Sequence, residues 1–70
     1  MNYDVKPRLG EILKERELRQ KDLAKMSNLT EATISRFERQ SRYEISTLVA
    51  ISKALNLSIE DLFVIKKSAE

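Results

Sequence analysis

Between residues 20 and 39, two short runs with helical spacing of apolar side chains are separated by only three residues, Asn28-Leu29-Thr30. Leu23, Ala24 and Ser27 fall on one face of the first run, and Ile34 and Phe37 on one face of the second, because residues three and four apart line up along a helix. A turn this short makes two helices cross steeply instead of running side by side. The residue types suit that crossing. Ala24 is small enough for another helix to pass close over it. Asn28 tolerates the left-handed backbone needed to stop a helix. Leu29 supplies the turn with one apolar anchor, and Ile34 returns the chain to the shared core.

The rest of the chain has the same character. Glycine and proline occur once each, a usage that favours helices over a strand-rich fold, and there is no internal repeat. Pro7 suits a first helical position, where its missing N–H is not needed. Leu9, Ile12, Leu13 and Arg16 then continue the spacing, so a first helix is expected over residues 7–17, weakened modestly by Gly10. The second is expected over 20–27. Thr30 is placed to cap a third over 31–39, with Glu31 at the positive end of its dipole. A polar loop, 40–45, follows. Ser46 is expected to cap a fourth helix over 47–55 whose inner face holds Leu48, Ile51, Ala54 and Leu55. Ser58-Ile59-Glu60-Asp61 has the capping-box pattern and starts a fifth, short helix ending near Phe63. The expected fold is all-α, a compact five-helix bundle in one domain over residues 1–70. Residues 3–6 and 63–66 both alternate apolar and polar side chains. Two outcomes suit them: a two-stranded ribbon, within one chain or across a dimer, or frayed ends.

Composition removes several classes of function. Cysteine and histidine are both missing, so disulfides, thiolate metal sites and the commonest general base at neutral pH are not available. No metal or cofactor is expected. With no phosphate-binding glycine loop and little room for a cleft, an enzyme is the least favoured class. The N-terminus lacks the apolar stretch of a signal peptide and no run is long enough to span a membrane, which points to a cytoplasmic protein. Thirteen basic against eleven acidic residues give a net charge of only +2. Residues 1–29 hold seven basic and five acidic side chains, and the remainder is balanced. Binding to a polyanion must then rest on placed contacts, not on bulk charge.

Three blocks in order carry a resemblance: Gln20, Leu23 and Ala24; Leu29, Thr30, Thr33, Ile34, Ser35 and Arg36; and the run from Ala54 to Phe63. With these, the chain resembles the Cro and Xre family of phage and bacterial repressors over roughly residues 8–63. The resemblance implies a lambda-repressor-like fold and a DNA-binding helix-turn-helix over 20–39 whose second helix enters the major groove. It implies that Gln20 bonds a phosphate and that Glu31, Ala32, Thr33, Ser35 and Arg36 face the bases. Arg36 suits guanine O6 and N7, Ala32 and the Thr33 methyl suit a thymine methyl, and Glu31 suits cytosine N4 or serves only the helix dipole. Arg19, Thr30, Arg39, Ser41 and Arg42 are candidates for phosphate contacts that set position without reading sequence.

The chain departs from the family pattern at three places. Arg19 stands where Ser or Thr commonly caps the second helix. Gln40 replaces the glycine that usually ends the recognition helix, leaving the course of the 40–45 loop open. Glu38 matches an acidic position often paired with an arginine on the first helix, but Leu13 stands there. Glu38 is therefore expected to be partly exposed and to pair with Arg42 or Lys14.

One short helix reads too few base pairs for useful specificity, so a homodimer on an inverted repeat is expected. Leu62, Phe63, Val64 and Ile65 are candidates for its contact; closing the bundle over the first helix is the alternative. Seventy residues leave no room for a ligand-binding domain, so control by concentration, proteolysis or a protein partner is expected. The rival reading is an antitoxin-like or other protein-interaction module in which DNA binding is secondary.

Overall fold

The computed structural model describes residues 2–68. Along the chain come β1 (Tyr3–Pro7), α1 (Leu9–Glu15), α2 (Gln20–Ser27), α3 (Glu31–Arg36), a 3-10 turn (Phe37–Arg39), α4 (Ile45–Leu55), a second 3-10 turn (Glu60–Leu62) and β2 (Phe63–Lys67). The described chain is thus mostly helical, with four α-helices and a two-stranded antiparallel sheet.

Three helices stop in the same way. Glu17, Asn28 and Asn56 follow α1, α2 and α4 with φ of 56°, 60° and 58°. The leucine after each donates its N–H to a carbonyl five residues back: Leu18 to Leu13 at 2.8 Å, Leu29 to Ala24 at 2.9 Å and Leu57 to Ser52 at 2.8 Å. This arrangement uses up carbonyls that a helix end leaves unpaired. The same three leucines pack, partly buried, against the core, so one residue both ends a helix and anchors the next segment. Asn suits the left-handed conformation; Glu17 adopts it at some backbone cost.

The core collects side chains from every helix: Leu9, Ile12 and Leu13 from α1, Leu23 and Ala24 from α2, Ile34 from α3, Ile51 and Leu55 from α4, and Phe37 and Leu62 from the two turns. Leu48 and Ala54 pack on its margin. Ser52 is the polar residue buried with them, and its hydroxyl is satisfied by the Val49 carbonyl at 3.0 Å. Arg16 lies less inward than its spacing suggested. Its side chain is exposed overall, yet one guanidinium nitrogen donates to the Leu55 carbonyl at the end of α4.

Several expected boundaries are corrected. Pro7 ends β1 and does not begin a helix, because Arg8 donates its N–H to the Leu62 carbonyl at 2.9 Å and carries the strand pairing past it. The first helix therefore spans Leu9–Glu15. The third is α-helical only to Arg36 before it tightens. The fourth begins at Ile45 with Glu44 at the cap position and no side-chain cap bond, so Ser46 is inside the helix. The Ser58 capping pair does form: Asp61 donates its N–H to the Ser58 hydroxyl at 3.2 Å, and Ser58 donates its own to the Asp61 carboxylate at 3.1 Å. The Ser58 N–H, and then the Ser58 side chain, hold the Asp61 carboxyl below the usual carboxylate range, and the nearby Arg8 adds a smaller pull. A fifth α-helix does not follow, since Phe63 is drawn into strand pairing opposite Pro7 and leaves one 3-10 turn.

The two ends pair within the chain, from Tyr3 opposite Lys67 to Pro7 opposite Phe63. Pairing continues to Asn2, whose carbonyl accepts from the Ser68 N–H at 2.9 Å. Phe63 roots the ribbon in the body: its ring centroid lies 5.6 Å from that of Phe37 and 5.5 Å from that of Tyr43.

Candidate nucleic-acid interface

α3 is held outward by what it buries. Ile34 is fully enclosed, while Glu31, Ala32 and Arg36 are exposed and Thr33 and Ser35 half-buried. All five candidate base-reading residues therefore lie on the helix outside the Ile34 contact. The start of the helix is secured locally. The Thr30 hydroxyl accepts the Thr33 N–H at 3.1 Å and lies 2.9 Å from the Thr33 hydroxyl. Thr33 is therefore part of the cap as well as of the outer surface.

At the start of α2, Arg19 and Gln20 are both exposed. Arg19 has no side-chain acceptor to offer as a cap, but half of a capping box survives, because Asp22 accepts the Arg19 N–H at 2.9 Å. The guanidinium stays free to point into solvent. The turn between α2 and α3 is the expected one: Asn28 is left-handed, and Leu29 packs on the core.

The far end of α3 is held by two residues that the sequence reading either missed or partnered wrongly. Glu38 does not pair with Arg42 or Lys14. Its carboxylate accepts the Gly10 N–H at 3.1 Å, at the second residue of α1. A carboxylate there satisfies an otherwise unpaired donor and suits the positive end of the helix. Position 10 has no side chain, and a Cβ built there would sit 3.9 Å from the Glu38 carboxyl carbon. Tyr43 is the second. Its hydroxyl lies 2.6 Å from the Phe37 carbonyl and 2.9 Å from the Gln40 carbonyl, and its ring centroid is 4.7 Å from that of Phe37. Burial, and then the charge of Glu38, push the Tyr43 hydroxyl above its ordinary value of 10.0, so it stays a donor across the physiological range. The signal in the sequence was an aromatic residue inside an otherwise polar loop.

Arg39, Ser41 and Arg42 follow this end of α3, all exposed. The ion pair found among the described residues joins Arg8 to Glu15 at 4.0 Å. Arg19, Arg36, Arg39 and Arg42 thus make no ion pair with a described residue. None of the four is within ion-pair distance of a described carboxylate, and their guanidinium groups are suited by chemistry to anionic phosphate and to guanine edges. A cavity of about 350 Å³ lies beside two of them, Arg36 and Arg42, and is lined also by Thr33, Thr47 and the acidic Glu44.

The apolar residues near the C-terminus are divided. Leu62 is fully buried in its own core, Phe63 and Val64 are half-buried, and Ile65 is exposed. On β1, Val5 opposite Ile65 and Tyr3 opposite Lys67 are also exposed. Among the described residues no helix is long and apolar enough to cross a membrane, and no group of three or more acidic, Cys or His side chains could hold a metal ion.

A search of the curated proteins found no match. The profile of the Cro/C1-type HTH DNA-binding domain, in contrast, matches residues 8–68 and so covers all four helices and β2. With the helix-turn-helix geometry of α2 and α3 in place, the chain belongs to the Cro/C1-type HTH family of DNA-binding domains that regulate transcription.

Proposed function

We propose that residues 1–70 act as one domain, a sequence-specific repressor that binds an inverted-repeat operator as a homodimer. The observation that carries this reading is the attitude of α3, with Ile34 enclosed and Glu31, Ala32 and Arg36 turned to solvent. In this reading Arg36 grips guanine O6 and N7, while Ala32 and the Thr33 methyl touch a thymine methyl. Ser35 bonds a base edge, and Glu31 accepts from cytosine N4. Arg19, Gln20, Thr30, Arg39, Ser41 and Arg42 contact phosphates on either side and set the register. No enzymatic step belongs to it.

A net charge of +2 gives weak general attraction to DNA, which makes two-fold binding more valuable. Half-sites about 34 Å apart, one helical turn, would present two copies of α3 to one face of the duplex. The dimer contact is assigned to the segment from Leu62 to Ile65. Because Leu62 is enclosed and Phe63 is shared with the aromatic cluster, Ile65 and Val64 would supply most of it. Sedimentation of Ile65→Asp tests the assignment: a monomer is expected, and a persistent dimer overturns it.

Selection from a randomised duplex pool at near-physiological salt tests the function. An enriched inverted repeat whose enrichment is lost with Arg36→Ala is the expected result. Weaker binding with unchanged preference would move Arg36 to a phosphate. Salt-sensitive binding without enrichment would overturn the sequence-specific reading.

A further inference from the structure

The loop after the recognition helix is closed by its own tyrosine. Gln40 stands at φ −108°, ψ 155°, an extended conformation that turns the chain away from α3 without a left-handed residue. The carbonyls of Phe37 and Gln40 are left near this break, and the Tyr43 hydroxyl reaches both, at 2.6 Å and 2.9 Å. It has one hydrogen to donate, shared between two acceptors. The ring is fixed from behind by Phe37 and Phe63, so the hydroxyl is presented by a rigid support and not by a mobile side chain. The two residues enclosed between Gln40 and Tyr43 are Ser41 and Arg42, both exposed.

We propose that Tyr43 is a positioning residue for DNA binding: by holding the Phe37 and Gln40 carbonyls it fixes Ser41 and Arg42 at the end of the recognition helix against the DNA backbone. This rests on the reading of Arg42 and Ser41 as phosphate contacts. A contact held in advance is stronger than one that must first order its loop, because the entropy of ordering is spent in folding and not in binding. Phosphate contacts carry no sequence information, so Tyr43 acts on affinity and salt dependence and not on base preference.

Tyr43→Phe keeps the ring and removes the hydroxyl. Its binding to one short mixed-sequence DNA duplex is measured over a salt series, beside the parent protein, Arg42→Ala and the double variant. Circular dichroism confirms that each remains folded at the temperature used. Tyr43→Phe is expected to weaken binding about fivefold to tenfold, the scale of one hydrogen bond. The slope of log affinity against log salt should become shallower by about one contact. The double variant should be no weaker than Arg42→Ala by that factor again, since the two act on one contact. A shallower slope for Arg42→Ala with an unchanged slope for Tyr43→Phe overturns the positioning role and leaves the phosphate reading intact. An unchanged slope for Arg42→Ala overturns the phosphate reading of Arg42, and this inference with it.

Discussion

The two ends of α3 are secured by opposite means. At its start, Thr30 and Thr33 lie three residues apart and satisfy each other, so the cap is complete within one turn of chain. At its end, Glu38 reaches Gly10, 28 positions away. Tyr43 crosses a loop to Phe37 and Gln40, its ring tilted against Phe37 and edge-on to Phe63 of β2. The start is a property of four consecutive residues. The end exists only when α1, the loop and the ribbon are all in place. A recognition helix held this way has a self-sufficient N-terminus and a C-terminus whose order reports on the whole fold.

The comparison breaks first at Phe37, which is 1 % exposed and touches both aromatic partners. Phe37→Ala is expected to cost about 3–5 kcal/mol, comparable with the whole stability of a chain this short. Urea titration should then show little or no folded baseline. A clear two-state transition near the parent midpoint would mean that the end of α3 is not tied to the core as described. Thr30→Ala should be smaller and confined to the start, about 1 kcal/mol. Faster amide exchange at Thr33, with Gly10 unaffected, is the signature; equal effects at both would erase the distinction between the two ends.

Glu17 offers a sharper test of how far local rules go. It occupies the left-handed position that Asn fills after α2 and α4. Glu17→Gly should therefore stabilise the protein by roughly 0.5–1 kcal/mol, seen as a rise of a few degrees in the melting temperature. A lower melting temperature would show that the Glu17 side chain does something its backbone does not reveal.

The smallest effect is expected at high pH. The Tyr43 hydroxyl is raised above 10.0 in the folded protein, so the folded state holds that proton more tightly than the unfolded chain. Its contribution to stability is complete below pH 10 and is lost as pH rises through the folded value. Stability measured upward from pH 10 should fall more steeply in the parent than in Tyr43→Phe. Identical slopes would mean that burial and the charge of Glu38 do not hold the proton on the hydroxyl.

Much of this molecule was legible from local pattern. The crossing of α2 and α3, the stop at Asn28, the Thr30 cap, the reciprocal Ser58–Asp61 bonds and the inward placement of Leu23, Ile34, Ile51 and Leu55 all follow from residues within one or two helical turns. The alternating ends did pair, but their sequence left open whether they would do so within the chain. Two of the errors share one cause. Pro7 is a good first helical residue by its own chemistry, and Phe63 a good last one, yet each stands opposite the other in the ribbon. Cross-strand pairing overrode the local preference at both.

The partner of Glu38 was illegible for the same reason. A carboxylate takes the nearest unpaired donor, and for Glu38 that is the backbone N–H of Gly10 at the start of α1, not a side chain. By itself the sequence determined four of the five expected helices, which face of each is apolar and which residues α3 turns outward, because those depend on periodicity and on bonds spanning three or four residues. Only the tertiary structure decided where α1 begins, that the chain ends meet each other, and what holds the last turn of the recognition helix. Those outcomes depend on donors and rings brought together from distant parts of the chain, and no local spacing encodes that proximity.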